Sequence, residues 1–367
     1  MANSNLTSAK KAKNDEFYTQ YHDIEKEIGA YVEYNPDVFK DKVILMPCDD
    51  PEWSNFTKFF AQNFERLKIK KLISTSYAPD SKLHKNGYQP TLFELNDPQF
   101  DEKKTITNGK IFTLEQDRSG DGKIDVDDLE WTYLKGDGDF NSNEIKKLRD
   151  EADIIITNPP FSLFRDFIAW IVDAKKDFLI IGSMNAITYK EVFPLIKENL
   201  IWLGVKSTSK AMFFKTSNKE YAKRVSSERP EGSFWRMIDG EIGIGINNSC
   251  WFTNLDHGRR HQPIPLQKEK DIIKFVTNKE FQKYDNYNAI EISLIKNIPS
   301  DYDGIMGVPI TIIDKYNPEQ FEIIGMDTEV KEGKLPFLIN EEWDGKLDRG
   351  YIKGNRIYSR IFIKHKK

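Results

Sequence analysis

Cysteine is scarce in this chain of 367 residues, which contains only Cys48 and Cys250. Two thiols are too few for a disulfide scaffold or for a zinc site with four cysteine ligands, and they fit a reducing compartment. No segment approaches the ~18 consecutive apolar residues that a membrane-spanning helix needs. The first 20 residues also lack the apolar segment of a secretory signal. We therefore expect a cytoplasmic protein without a membrane anchor.

Net charge is also small, because 54 basic side chains nearly balance 58 acidic ones to give −4. This balance argues against a protein that binds polyanions with its whole surface, but it permits a local basic cleft. Hydrophobic residues make up 39% of the chain, which is enough for one large or two medium cores. Disorder is therefore excluded as the main state.

Over the first 200 residues, short apolar runs alternate with segments whose apolar residues recur at helical spacing. The expected strands are 42–47, 71–77, 152–157 and 177–183, and the expected helices lie within 15–34, 54–67, 163–172 and 189–199. This alternation indicates βαβ crossovers and a doubly wound, mostly parallel α/β sheet. Proline-punctuated β-type runs follow in the last hundred residues. We expect a catalytic domain over 1–258, with a basic insert at about 205–248, and a smaller β-rich region over 259–367.

The tetrapeptide Asn158-Pro159-Pro160-Phe161 follows directly after the apolar run that ends at Thr157. The two prolines stiffen the loop and bias its first residue away from the helical conformation. The Asn158 amide oxygen and the Pro159 carbonyl can accept hydrogen bonds from an exocyclic amino group, and Phe161 offers a ring for stacking. An ordinary proline turn is the alternative. The position after a buried strand of a βαβ chain favours a catalytic loop.

Five sequence features, taken in order, resemble the EcoRI-type modification methylases, which belong to the N6-adenine DNA methyltransferases. They are 15–20 (DEFYTQ), 48–51 (CDDP) with 54–56 (SNF), 136–140 (GDGDF), 158–165 (NPPFSLFR) and 356–358 (RIY). The resemblance spans nearly the whole chain. It implies a Rossmann-like, seven-stranded-type methyltransferase sheet that uses S-adenosylmethionine (AdoMet), followed by a β-rich target-recognition region. It also implies a target adenine that is swung out of the duplex.

The same resemblance implies the residues that hold the cofactor. They are Tyr18 and Thr19 near the methionine moiety, Cys48, Asp49 and Asp50 in the turn after the first strand, Asp139 and Phe140 at the cofactor adenine, and Asn158. That first turn contains no glycine, so the close backbone approach that glycine permits is not guaranteed. No acid ends the second strand, where many sheets hold a ribose. Asp49 or Asp50 is the ribose candidate, and a helix N-cap near Ser54 is their alternative role.

In function, the resemblance implies site-specific methylation of adenine N6 in double-stranded DNA, in restriction-modification or in phage or host DNA protection. We expect a monomer. A separate cognate restriction endonuclease, as a functional and not a physical partner, is compatible with this activity but is not required by it. Two alternatives stay open. The same loop could serve methylation of RNA or of a protein glutamine, and the chain could be a non-enzymatic module that binds nucleic acid or calcium.

The stretch 201–260 reverses the sign of the overall charge, with ten basic against six acidic side chains. Four aromatic residues are interleaved with them, which is typical of surfaces that contact phosphates. A solvated surface loop is the alternative. The predicted DNA contacts are Lys206, Lys210, Lys215, Lys223, Arg224, Arg236, Arg259 and Arg260.

Residues 117–128 match the spacing of an EF-hand loop. The ligand positions would be Asp117, Ser119, Asp121, Lys123, Asp125 and Asp128. The run before this loop is not a convincing helix, the loop occurs once, and methyl transfer needs no metal. A structural calcium ion and an acidic surface turn are the two interpretations. The five histidines show no metal-binding spacing.

Overall fold

The structure is a computed structural model that describes residues 17–49, 54–78, 98–206, 208, 210–216, 218–275 and 280–366. No helix within these ranges is long and apolar enough to cross a membrane.

Strands and short α-helices follow one another along the described chain. The strands are β1 (Tyr18–Thr19), β2 (Val43–Pro47), β3 (Lys71–Thr75), β4 (Lys110–Leu114), β5 (Glu130–Tyr133), β6 (Ile154–Thr157), β7 (Asp177–Ser183), β8 (Trp202–Leu203), β9 (Met212–Lys215), β10 (Trp235–Ile238), β11 (Glu241–Ile246), β12 (Ser249–Thr253), β13 (Ile290–Glu291), β14 (Met306–Pro309), β15 (Phe321–Met326), β16 (Tyr351–Ile352), β17 (Asn355–Arg356) and β18 (Arg360–His365). The α-helices are α1 (Tyr21–Tyr34), α2 (Asn55–Gln62), α3 (Glu102–Thr107), α4 (Asn143–Glu151), α5 (Phe164–Asp173), α6 (Phe193–Lys197), α7 (Lys219–Glu228), α8 (Glu269–Ile272) and α9 (Asp327–Lys331).

The largest sheet has eight strands in the order β5-β4-β3-β2-β6-β7-β12-β8. Its four central strands, β3, β2, β6 and β7, are parallel, whereas β4, β5 and β12 pair antiparallel. Every residue of β2 and β6 is buried, which agrees with their uninterrupted apolar sequences. The mixed α/β class is therefore confirmed. The finer expectation of a seven-stranded, mostly parallel, doubly wound sheet is not.

A smaller antiparallel sheet joins the start of the described chain to the insert. Its order is β1-β9-β11-β10. Thr19 pairs with Phe214 of β9, and Phe214 pairs in turn with Ile244 of β11. Phe214 and Ile244 are fully buried. The insert therefore fixes the two residues that the resemblance assigns to the cofactor's methionine moiety.

The chain divides into two compact units, 1–192 with 203–257, and 193–202 with 258–367. The second unit contains a four-stranded sheet in the order β13-β14-β18-β15 and the two-stranded hairpin β16-β17. Its sheet buries apolar side chains of β15 and β18, among them Phe321, Phe362 and Ile363. The functional division into a catalytic domain over 1–258 and a recognition region over 259–367 stays a prediction.

The carboxyl ends of parallel strands lie at one edge of a sheet, where ligands of such folds bind. In the first unit, Cys48 follows β2, Ser76 follows β3 and Asn158 follows β6. The pairing of these three strands brings the loops that follow them to the same edge.

Candidate active site

A cavity of about 260 Å³ opens at this edge of the first unit. It is lined by Phe17, Tyr18, Thr19, Cys48, Asp49, Ser54, Phe56, Tyr77, Gly138, Asp139, Phe140, Asn141, Asn158, Pro160 and Leu163. Eight of these are residues predicted for the site, from four separate segments of the sequence. Asp50, also predicted, lies outside the described residues. Phe17 and Tyr77 are lining residues that sequence reasoning did not assign.

The side-chain amide of Asn158 is held in one orientation. Its Nδ2 donates a hydrogen bond to the main-chain carbonyl of Phe17 at 2.5 Å. Its Oδ1 is buried and has no hydrogen-bond partner among the described residues. A buried acceptor without a donor costs about 1–3 kcal/mol. A ligand that donates a hydrogen bond would remove that cost, so the site is suited to an amino group.

The rest of the proline loop packs beside the cavity. Pro159 is buried, and the Pro160 carbonyl accepts a hydrogen bond from the Leu163 amide at 2.9 Å. The half-buried Phe161 ring lies edge-to-face with Phe17 at 5.9 Å and with Phe214 at 6.3 Å. These contacts fix the Phe161 ring, but its stacking on a target base stays a prediction.

The β1 segment provides a second unsatisfied polar atom. The Thr19 carbonyl accepts a hydrogen bond from Asn55 Nδ2 at 2.7 Å, which ties β1 to α2. The Thr19 hydroxyl oxygen is buried and has no hydrogen-bond partner in the described part of the chain. Thr19 Oγ1 is a second orphaned atom of this cavity, separate from Asn158 Oδ1, and it indicates a polar ligand beside the target amino group, since buried polar groups are nearly always satisfied. The residues present therefore fit a cofactor of the AdoMet type.

Asp49 positions the start of α2. Its Oδ1 accepts a hydrogen bond from Ser54 Oγ at 2.7 Å, and the same hydroxyl oxygen accepts from the Phe56 amide at 3.1 Å. Ser54 is thus the N-cap of α2. The alternative role of N-cap is therefore wrong for Asp49, because a side chain one residue before the helix takes that position. The role of Asp49 as ribose acceptor stays a prediction.

The turn after β2 achieves the left-handed conformation without glycine. Cys48 has φ of +69°, a region that residues with a Cβ atom rarely adopt. The cysteine thus stands where a glycine would ordinarily relieve strain. The missing glycine has not prevented the turn from forming the cavity wall.

We predict that Cys48→Val destabilises the protein by about 1–2 kcal/mol, because a β-branched residue fits the left-handed region poorly. Cys48→Gly should leave the free energy of unfolding unchanged or slightly raised. Urea unfolding of both variants measures the difference. Equal stability of the valine and glycine variants would show that the turn does not depend on this conformation.

The segment of Asp139 and Phe140 closes another side of the cavity. Phe140 is buried, and its ring packs against Phe167 at 5.1 Å and Trp170 at 5.7 Å, both in α5. Asp139 Oδ1 accepts a hydrogen bond from the Asn141 amide at 2.8 Å. The carboxylate and the ring are therefore both anchored. Their contact with the cofactor adenine stays a prediction.

Six of the eight predicted DNA contacts lie in the first unit. Lys206 Nζ donates to the Lys210 carbonyl at 2.6 Å, and Lys215 pairs with Asp239 at 3.0 Å. Lys223 is exposed, and the Arg224 guanidinium lies 5.5 Å from the Tyr221 ring. Arg236 is exposed and lies 4.2 Å above the Phe213 ring.

The other two, Arg259 and Arg260, belong to the second unit. Arg259 pairs with the Asp314 carboxylate at 2.9 Å and also donates to the Asp314 carbonyl at 2.8 Å. The Arg260 guanidinium lies 3.5 Å from the Trp202 ring. The structure gives both arginines partners within their own unit. It does not gather all eight cations on one structural element.

The EF-hand-like loop does not support calcium. Asp117 accepts hydrogen bonds from the amides of Gly120 and Gly122, at 2.7 and 2.8 Å. Asp128 accepts from the amides of Ser119, Asp125 and Arg118, and these bonds lower its pKa from 3.8 to about 2. These two carboxylates thus accept hydrogen bonds from the loop's own backbone amides. Within the described ranges no cluster of three or more acidic, histidine or cysteine side chains could hold a metal ion.

Comparison with known proteins shows similarity over nearly the whole chain. The sequence profile of a family described as "Adenine-specific methyltransferase EcoRI" matches residues 5–366. The chain is 41% identical to the type II methyltransferase M.EcoRI of Escherichia coli, over all of this chain and 97% of the relative.

Two mycoplasma proteins are similar over almost the same extent. The chain is 34% identical to the type II methyltransferase M.MpnI of Mycoplasma pneumoniae, over 98% of this chain and 97% of the relative. It is 33% identical to M.MgeORF184P of Mycoplasma genitalium, over 97% of each chain. No solved structure matches the chain.

Proposed function

The chain belongs to the EcoRI family of adenine-specific methyltransferases, and from this premise we propose that it methylates N6 of an adenine in double-stranded DNA with AdoMet as donor. The three relatives above are all named type II methyltransferases. These names favour site-specific DNA methylation in restriction-modification over methylation of RNA or protein glutamine. They also favour an enzyme over a binding module.

The unsatisfied Oδ1 of Asn158 is the observation that carries the catalytic proposal. This oxygen and the Pro159 carbonyl would accept the two hydrogens of the adenine amino group, which directs the nitrogen lone pair toward the donor. Bound AdoMet supplies an electrophilic methyl group on a sulfonium. Phe161 would stack on the adenine after the base has left the duplex. No covalent enzyme intermediate is required.

The cavity residues divide into groups by the part of AdoMet that each would hold. We assign Tyr18 and Thr19 to the methionine moiety, Cys48, Asp49 and Asp50 to the turn near the ribose, and Asp139 with Phe140 to the adenine. Two facts support this assignment: the described members line one cavity, and Thr19 contributes a buried, unsatisfied hydroxyl. Isothermal titration calorimetry with AdoMet tests it directly.

Membership of this family also leads to proposals about target recognition, oligomeric state, location and a partner enzyme. We propose that 259–367 recognises the target sequence, that the protein acts as a monomer in the cytoplasm, and that a separate endonuclease cuts the same sequence when it is unmethylated. The relatives' designation as type II methyltransferases supports the last point.

Arg236 is the strongest candidate among the predicted DNA contacts. Its β10 position pairs with Gly243 of β11, so no side chain of that partner covers the arginine. Burial raises the pKa of Asp23, and the charges of Arg236 and Lys206 act in the opposite direction. Both cations therefore act on Asp23 of α1. An exposed arginine such as Arg236 is suited to a contact with a DNA phosphate.

We predict that Arg236→Ala weakens DNA binding uniformly across sequences. The slope of log K against log salt should fall in magnitude by about 1, because one phosphate contact is lost. Fluorescence anisotropy at several salt concentrations measures this slope. Lys296→Ala, which removes an exposed cation of the second unit, is the control and should leave the slope unchanged. An unchanged slope for Arg236→Ala would remove this residue from the interface.

A transfer assay with labelled AdoMet tests the proposed acceptor. Unmethylated duplex DNA, RNA and a protein mixture are incubated separately with the enzyme. The proposal predicts label in DNA alone, as N6-methyladenine after hydrolysis. Label in RNA or protein, with none in DNA, would overturn it.

A further inference from the structure

A small hairpin in the second unit exposes side chains of the types that read DNA bases. Strands β16 and β17 pair through Tyr351 with Arg356 and Ile352 with Asn355. The turn residues Lys353 and Gly354 both have positive φ, +51° and +74°. Such two-residue turns match the natural twist of a β-ribbon. We propose that this hairpin and the following Tyr358, residues 351–358, read the target sequence in the major groove of DNA. This proposal rests on the proposed function.

Buried polar groups of the unit hold the hairpin rigid. A ribbon of two-residue strands is not stable alone. Asn286 is fully buried; its Nδ2 donates to the Arg349 carbonyl at 2.7 Å, and its Oδ1 accepts from the Tyr351 amide at 2.9 Å. Asp285 Oδ2 accepts from the Gly354 amide at 2.8 Å. These hydrogen bonds therefore fix the shape of the hairpin, although the side chains of its turn and second strand are exposed.

The second strand supplies two groups of the types that read bases, Asn355 and Arg356, one on each face of the ribbon because they are adjacent in a strand. Arg356 keeps half of its side chain exposed, and its guanidinium is aimed by the Asp348 carboxylate at 2.6 Å. Asn355 is exposed, and its amide nitrogen makes a long 3.3 Å hydrogen bond to the Lys353 carbonyl. Arginine pairs with the two acceptors of guanine, and asparagine pairs with adenine in the major groove. The groove is wide enough for a two-stranded ribbon.

Tyr358 adds an exposed aromatic ring next to these groups. It is 85% exposed, the highest value among the large hydrophobic side chains described as exposed. An exposed aromatic ring near cations and an exposed amide is typical of a surface that contacts a partner. In the groove this ring would pack on a thymine methyl group or a sugar.

The hairpin and the basic insert would have different tasks. Contacts to phosphates give affinity without sequence information, whereas bidentate contacts to base edges give specificity. Variants of the hairpin should therefore change which sites are methylated, while binding of unrelated DNA is retained. This separation distinguishes a reading element from a merely structural one.

The test uses the full-length protein and a library of duplexes that contain the preferred site and all its single-base variants. Arg356→Lys keeps the charge and the contact to Asp348 but loses the bidentate fork. Asn355→Ala removes a side chain with one weak hydrogen bond. We expect each variant to lose about 10- to 100-fold of discrimination at one or two positions. AdoMet affinity and binding of unrelated DNA should stay within about 2-fold, since neither depends on a base-edge contact.

Phe337→Ala is the matched control, because Phe337 is also an exposed aromatic residue of the second unit, at 59%. It should keep wild-type discrimination, while Tyr358→Ala should reduce it. Thermal unfolding confirms that each variant is folded. Wild-type discrimination in all three hairpin variants would overturn the hairpin proposal alone. Failure of the wild-type protein to methylate any duplex would instead overturn the proposed function.

Discussion

Replacing Asn158 with alanine is expected to lower kcat by about 100- to 1000-fold or more, the range seen when one preorganised polar group is removed from a transition state. AdoMet affinity should change by less than about 3-fold, because the proposed role of Oδ1 is to hold the target amino group, not the cofactor. Single-turnover methylation measures the first quantity and calorimetry the second. Full activity in the alanine variant would refute the assignment.

The Asn158→Asp variant separates the two ends of the amide. Its second carboxylate oxygen would replace Nδ2, which lies 2.5 Å from the Phe17 carbonyl. Two acceptors at that distance repel each other, so we expect the aspartate variant to be strongly impaired at neutral pH. Protonation would restore a donor toward Phe17, so its activity should rise as the pH falls. A wild-type rate for Asn158→Asp at neutral pH would show that the Phe17 carbonyl does not orient the catalytic side chain.

Gly138→Ala should weaken AdoMet binding by about 10-fold or more and lower stability by about 1–3 kcal/mol. Gly138 has φ of +88°, and an added Cβ atom would lie 2.2 Å from the Ser76 carbonyl oxygen. Neither backbone segment can move without shifting the wall of the cavity formed by Asp139, Phe140 and Tyr77. Calorimetry with AdoMet measures the loss, and urea unfolding measures the stability.

Gly120→Ala provides the matched control for this substitution. Gly120 also has a positive φ, +76°, but an added Cβ atom would meet nothing within 4 Å. We expect a stability cost of about 1–2 kcal/mol from the backbone conformation alone and no change in AdoMet affinity. If both alanine variants bind AdoMet equally well, the close approach of Gly138 to Ser76 has no part in cofactor binding.

Much of the site could be predicted because its residues follow recognisable strands. The uninterrupted apolar runs before Cys48 and Asn158 predicted buried parallel strands, and β2 and β6 lie side by side in the sheet. Residues that end such strands meet at one edge. The resemblance added Tyr18 and Asp139, which no periodicity would have connected to that edge.

Other features depend on tertiary contacts that a single sequence does not reveal. Strands β4 and β5 lie in the polar stretch 78–148, where the apolar signal was weak. The β-type runs of the last hundred residues also did not reveal that β17 ends at Arg356 and β18 begins at Arg360, because the hairpin before this break is fixed by hydrogen bonds to Asp285 and Asn286, which are distant in sequence. The role of the Phe17 carbonyl could not be predicted, because it belongs to the main chain.

The central claim is that the cavity at Asn158 methylates adenine in DNA at one recurring sequence. Single-molecule sequencing of DNA from cells that express the wild-type protein, compared with cells that express Asn158→Ala, tests it most directly. We predict N6-methyladenine at a single short sequence in the first DNA and its loss in the second. Unmodified DNA in the wild-type cells, or equal methylation in both, would contradict the account.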